Sequence, residues 1–153
     1  MITRIGHTAI RTRDIEASAR FYRETLGMKE AFRMQNPAGD KLGCIYMYVA
    51  PSQFIELFPN GIEDAPHSNK TIGHAHICFE VDNAAAFLEE IRARGAPIDT
   101  EIKRGYSRCI QFWTHDPDGN SIEFMELPPD SLQAQANERI AQEAAQQEST
   151  AER

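Results

Sequence analysis

The chain has 153 residues, 41% hydrophobic and 25% charged, with 16 Lys+Arg against 23 Asp+Glu for a net charge of -7. That is apolar enough for one ordinary domain and too apolar for a disordered chain, while the acidic balance excludes a phosphate-tracking nucleic-acid surface. No apolar run approaches the roughly 20 residues of a membrane span.

Met1 leads directly into a strand-like segment, which predicts no secretory leader. The first strand pattern is IGHTAIRTRD at 5–14, and a second, IGHAHICFEVD at 72–82, repeats its opening. Each runs into a helical pattern that stops at a glycine. The first helix starts at an Asp14 N-cap, carries Ile15, Ala19, Tyr22 and Leu26 on one side, and ends at Gly27. The second starts at Asn83, carries Phe87, Leu88 and Ile91, and ends at Gly95. Three strand-like stretches follow each helix, near 28–34, 42–50 and 53–58 and near 97–103, 108–115 and 121–127, with a Pro-Asp-Gly turn at 117–119. The prediction is an α+β fold: one domain over 1–129 made of two βαβββ modules, at 1–61 and 72–127, pairing around a shared sheet surface. Residues 130–153 lack glycine and aromatics and carry five acids against two bases. Leu132, Ala136, Ile140 and Ala144 at i, i+4 spacing predict a terminal helix there. Whether it is a solvated tail or packs on a partner is left open by its composition. Cys44, Cys78 and Cys109 are scattered and odd in number, which predicts neither a disulfide framework nor a cysteine metal site, but a reducing, cytoplasmic setting.

Strand side chains alternate between faces. His7, Ala9 and Arg11 therefore share one face, and Phe54, Glu56 and Phe58 another. In the second half His74, His76 and Cys78 share a face, as do Ser121, Glu123, Met125 and Leu127. A carboxylate among apolar side chains is costly unless paired or metal-bound. Each half offers one such carboxylate on its last strand and an imidazole on its first. Glu56 and Glu123 lie 67 positions apart, His7 and His74 also 67, and His7 and His76 69. A lone strand histidine is usually a core or surface residue. A His-Glu pair recurring at nearly one offset in two matching halves is hard to obtain from packing alone. Two imidazoles and two carboxylates, if they converge, suit a divalent first-row metal.

Over residues 3–127 the chain resembles the vicinal oxygen chelate superfamily and, within it, the glyoxalase I enzymes (lactoylglutathione lyases). The motifs are HTAIRTRD, FYRETLGM at 21–28, IELFPNG at 55–61, HICFEVDNAA at 76–85 and DPDGNSIEF at 116–124. The resemblance implies His7, Glu56, His76 and Glu123 as ligands of one divalent ion, Ni²⁺ or Zn²⁺ first, with Co²⁺, Mn²⁺ or Fe²⁺ admitted by the donor set. The HI-x-F-x-VDNAA context favours His76, whereas the simple Ile-Gly-His repeat favours His74. It also implies Arg11 and Asn60 at the γ-glutamyl end of glutathione, and Lys103 and Arg104 near its glycyl carboxylate. A guanidinium sharing a face with His7 suits a carboxylate, although a surface ion pair with Asp14 or Glu16 would also use it.

The activity so implied converts the hemithioacetal of a 2-oxoaldehyde and a thiol into a thioester, by proton transfer through a metal-bound enediolate, with Glu123 as base and Glu56 as its counterpart. The resemblance further implies a homodimer acting on a small molecule, a glutathione adduct among the candidates, with neither nucleic acid nor membrane as partner. Alternatives on the same scaffold are an epimerase or a thiol transferase. A ring-cleaving dioxygenase needs more open metal positions than four protein ligands leave. A non-catalytic binding or resistance protein would not need all four ligand positions.

Overall fold

The computed structural model describes residues 2–62 and 72–151. The stretch 63–71, between the two expected modules, lies outside the described residues, as do Glu152 and Arg153 of the tail. The first half runs β1 (His7–Arg11), α1 (Ile15–Arg20), a π-helical turn (Phe21–Thr25), β2 (Lys29–Gln35), β3 (Leu42–Ala50) and β4 (Gln53–Phe58). The second runs β5 (Ile77–Glu80), α2 (Ala84–Ala93), β6 (Thr100–Arg104), β7 (Ile110–His115) and β8 (Ser121–Glu126), and α3 (Leu132–Ala151) follows. Each half is thus a βαβββ unit, and the fold is α+β.

Local chemistry sets the helix limits. The Asp14 carboxylate accepts from the backbone N–H of Glu16 and Ala17, both at 3.0 Å, and the Asn83 side chain accepts from that of Ala86 at 2.8 Å. Gly27 (φ +76) and Gly95 (φ +84) take the left-handed conformation that ends each helical segment. The six-residue α1 passes into a π-helical turn, where Leu26 donates to the carbonyl of Phe21.

Each half forms a four-stranded mixed sheet, in the orders β1-β4-β3-β2 and β5-β8-β7-β6. In each, the first and last strands are parallel neighbours and the remaining pairs are antiparallel. The expected pairing of the halves around one sheet surface does not occur, because no described strand of one half bonds to a strand of the other. The halves are joined instead through one apolar core. It gathers Ile15, Ala19 and Tyr22 from the first helical segment, Ala84, Leu88 and Ile91 from α2, and one face of each sheet, including Ile45, Met47, Ile55, Leu57, Phe112, Ile122 and Phe124.

A polar contact crosses the same junction. The Pro-Asp-Gly turn wraps around Asp116, 1% exposed, whose carboxylate accepts from the backbone of Asp118 and Asn120 and from the Asn120 amide. The buried Tyr22 hydroxyl of the first half also donates to it, at 3.1 Å. Burial, then the charge of Asp116, pushes the Tyr22 phenol well above its ordinary range. The backbone of Arg13 and the Ser18 hydroxyl donate to neighbouring Asp118. The α3 helix is anchored at its start, where Leu132 N–H donates to Ser107 and the Cys109 thiol meets Gln133 at 2.6 Å; Ile140, further along, is 55% exposed.

Tyr22→Phe removes a hydrogen bond to a buried charge, so it should cost about 1.5–3 kcal/mol. Urea unfolding should show this as a lower midpoint at unchanged slope.

Candidate functional site

The second face of each sheet, turned away from the core, carries the predicted chemistry. In the first half, parallel pairing sets Ala9 opposite Glu56, with His7 two residues upstream. The His7 imidazole Nδ1 stands 3.5 Å from Glu56 Oε1. In the second half Cys78 lies opposite Glu123, and His76 is again two residues upstream. His76 Nε2 stands 3.1 Å from Glu123 Oε2. Register therefore makes His76, not His74, the structural counterpart of His7. His74 is exposed and outside any strand. His76 itself lies just before β5, which begins at Ile77, and not within a strand as the alternation supposes. Ile77 pairs with Ile122 and β8 offers only Ser121 before it, after the Pro-Asp-Gly turn, so the residues upstream of His76 have no strand to pair with.

Glu56 is 6% exposed. It sits in an aromatic surround: Phe32 stacks on Tyr46 at 4.2 Å, and Phe54 packs edge-on against both Tyr46 and Tyr48 at 6.0 Å. Tyr46 lies directly opposite Glu56 on β3. Hydrogen bonding toward that carboxylate, with burial next, pushes the phenol from its ordinary 10.0 up to about 12. Glu123 has Cys78 beside it, where burial first and then the Glu123 charge push the thiol up to about 12. Cys44, Cys78 and Cys109 are all free thiols.

Donors bound to one ion at about 2.0–2.2 Å in adjacent positions stand about 3 Å apart. Both imidazole–carboxylate pairs match that spacing, so each fits half of a metal site. The four residues do not converge within one chain: no group of three or more His, Cys, Asp or Glu able to hold an ion occurs among the described residues. The reason is the core. The halves are joined through their helix-covered sides, which leaves the two pairs on separate open faces.

Arg11 and Asn60 are brought together at the end of β1 and β4. The Arg11 guanidinium donates to the Pro59 carbonyl at 2.9 Å and lies 5.7 Å over the Phe58 ring. Asn60 follows in the left-handed conformation, φ +67. Asp14 is engaged as helix cap and Glu16 binds Arg33, so neither supplies the ion pair considered for Arg11. Lys103 and Arg104 part company. Lys103 lines a cleft of about 630 Å³ that opens beside His76, while Arg104 is ion-paired with Asp130 and is not among the residues lining it.

Three features of these faces were not read from the sequence. Trp113 lies opposite Glu123 and edge-on to His76, with centroids 4.7 Å apart. His115 and Asp99 pair in the cleft wall, with Nδ1 2.8 and 3.0 Å from the two carboxylate oxygens. Tyr46 is the third. Its signal was present, because Tyr46 and Trp113 lie 67 positions apart, the same offset as the glutamates.

A family model described as the Glyoxalase/Bleomycin resistance protein/Dioxygenase superfamily matches residues 4–124. The chain belongs to this superfamily. Among its relatives, a lactoylglutathione lyase of Salmonella typhimurium is 36% identical over 129 residues, covering 80% of this chain and 92% of that one. A lactoylglutathione lyase of Haemophilus influenzae is 33% identical over 127 residues, covering 80% and 91%. A solved trypanothione-dependent glyoxalase I of Leishmania major superposes with a TM-score of 0.65 at 25% identity, covering 97% of this chain and 99% of that chain. The α+β architecture is thus that of the superfamily. No helix among the described residues is long and apolar enough to cross a membrane.

The Tyr46–Glu56 contact predicts a pH signature. The phenol's folded pKa is raised, so the contact's stabilisation is complete below about pH 10 and is lost as pH rises through about 12. In an alkaline absorbance titration, Glu56→Gln should move one tyrosine down from about 12 toward its ordinary value.

Proposed function

We propose that this superfamily member is a metal-dependent isomerase of the lactoylglutathione lyase type, assembled as a homodimer in the reducing cytoplasm. The observation that carries the reading is the recurrence of an imidazole–carboxylate pair, at matching strand register, on the open face of both halves. The names of its relatives support the reaction class, and the three free thiols suit the compartment.

His7 and Glu56 of one copy, with the equivalents of His76 and Glu123 from a second, would hold one divalent ion, Ni²⁺ or Zn²⁺ first, with Co²⁺, Mn²⁺ or Fe²⁺ also suited to this donor set. When bound, such an ion polarises two adjacent substrate oxygens and stabilises the negative charge that develops on them. The chain's own groups do the rest. The substrate is the hemithioacetal of a 2-oxoaldehyde with glutathione or a related thiol. Glu123 removes the proton from the hemithioacetal carbon and returns a proton to the neighbouring carbonyl carbon. The hydroxyl proton passes from the first oxygen to the second, giving a 2-hydroxy thioester with no co-reactant consumed. Glu56 faces the substrate from the other half-site. Arg11, ordered by the Pro59 carbonyl, and Asn60 hold the γ-glutamyl end, and Lys103 in the cleft faces the other carboxylate. Arg104, paired with Asp130, would have to leave that ion pair to reach the same carboxylate.

Metal content of protein purified without added metal, with turnover of the glutathione hemithioacetal, tests the reading. Glu123→Gln should keep the fold and lose about 10²–10⁴-fold in turnover. Arg11→Ala should chiefly raise KM for the glutathione adduct and leave an adduct of a thiol without the γ-glutamyl carboxylate unaffected. Stoichiometric metal with turnover of neither adduct would reject the thiol substrate and bring an epimerase forward.

The dimer has its own test. Inactive Glu56→Gln and Glu123→Gln chains, mixed and reassociated, should regain about a quarter of wild-type activity, because half the dimers are mixed and each mixed dimer has one intact site. No recovery would place all four residues' function within single chains.

A further inference from the structure

The cleft beside His76 contains a second imidazole, His115, to which the reaction above gives no task. His76, Trp113, Ser121, His115 and Asp99 all line it. Register fixes where they stand. Ser121 on β8 lies opposite His115 on β7, and His76, one residue before the Ile77–Ile122 pair, comes alongside Ser121 from the other side. Ser121 thus separates the two imidazoles in one row across the sheet. In the next row Trp113 lies opposite Glu123, so His115 is the diagonal neighbour of that carboxylate. Diagonal positions stand about 7–8 Å apart, within reach of long side chains and a small molecule between them.

The His115 ring is oriented by one partner. Its Nδ1 stands 2.8 and 3.0 Å from the two Asp99 oxygens, and the Asp99 backbone N–H donates to the Trp113 carbonyl at 2.9 Å, which fixes where that carboxylate starts. An ionised carboxylate only accepts, so Nδ1 carries the hydrogen and the lone pair of the neutral ring is on Nε2, the nitrogen that Asp99 leaves free. The side chains are 42% and 39% exposed, and an ion pair that open to solvent adds little stability. An imidazole whose far nitrogen is held by a carboxylate, in a cleft wall, is instead the arrangement that moves protons.

We propose that His115 is a catalytic residue that carries the substrate's hydroxyl proton from one oxygen to the other, with Asp99 as its positioning residue. This rests on the isomerase reading above, in which Glu123 serves the carbon-bound proton and the oxygen-bound proton travels separately. His115 Nε2 takes that proton: the substrate O–H bond breaks, an N–H bond forms, and Asp99 balances the imidazolium. The same N–H then delivers the proton to the second oxygen, which becomes the hydroxyl of the 2-hydroxy thioester, and the neutral ring is restored. Nothing is oxidised or reduced, and no co-reactant is consumed.

The test uses the full-length, metal-loaded protein and the glutathione hemithioacetal. His115→Ala should lower kcat about 10²-fold or more, as loss of a positioned proton carrier does, and change KM less than about threefold. Imidazole added to the buffer, with metal content monitored, should restore at least about tenfold of that loss. Asp99→Asn should lower kcat at least about tenfold, because an amide also accepts the wrong tautomer. Ni²⁺ and Zn²⁺ affinity, measured by competition against a chromophoric chelator, should stay within about twofold of wild type in both variants. If His115→Ala folds poorly by melting temperature, His115→Gln keeps more of the side chain's volume and should show the same fall in kcat. Wild-type kcat in a folded His115 variant, a loss confined to KM, a loss that tracks lost metal, or one that imidazole leaves untouched would each overturn the proposal and leave the isomerase reading standing. A wild type without hemithioacetal turnover would overturn both.

Discussion

In each half of this chain the first strand lies parallel to the last, and the residue facing the carboxylate across that pair is small or thin: Ala9 opposite Glu56, Cys78 opposite Glu123. A larger side chain there would fill the space into which the imidazole two residues upstream reaches. Parallel pairing needs a crossover between the strands, and here it is the helix and the two intervening strands. The helix covers one face of the sheet with Ile15, Ala19 and Tyr22, or Ala84, Leu88 and Ile91. The opposite face is left open, and alternation along β4 and β8 puts the glutamates on it. Core and candidate site are therefore two sides of one strand: Ile55 and Leu57 are fully buried while Glu56 between them faces the other way.

The same packing bears on the proposed dimer. Tyr22 and Asp116 bind the halves through the helix side, and both are buried. The open faces, each with one imidazole–carboxylate pair, are thereby held apart. An exposed sheet face carrying Phe32, Met34 and Tyr48, all over a third exposed, is the kind of apolar area that association covers. In the proposed dimer, a second copy that covers it with its own second half would bring the two pairs together and bury that area at once.

Much of the fold was legible because its signals are local. Asp14, Gly27, Asn83 and Gly95 are caps and stops whose chemistry does not depend on distant residues, and β3 and β4 fall where alternation puts them. The first strand of the second half was drawn too long, because alternation continues through His74 and His76 while the pairing partner does not. Pairing between strands is a long-range property, and only register could separate two histidines that one offset or another makes equivalent. The relation between the halves was misjudged for a related reason. A repeat says that two units are alike; it does not say which faces meet. That depends on tertiary contacts such as Tyr22 to Asp116, 94 residues apart. Tyr46 and Trp113 were overlooked because strand aromatics read as core, and only their placement opposite the glutamates separates them from it.

The energetics of Glu56 bind these strands of argument together. Placing a carboxylate at 6% exposure among aromatic rings costs several kcal/mol unless its charge is met. Tyr46 lies opposite it on β3, but a neutral donor cannot balance a charge. The ionic partner within reach is the His7 imidazole, whose side chain is 55% exposed and carries a charge only when protonated. In the proposed function a cation shared between the two would satisfy both, because neutral imidazole and ionised carboxylate are the protonation states a divalent ion requires. Protons compete with such an ion for both donors, so metal affinity should fall as the solution is acidified, which competition against a chelator at two pH values checks.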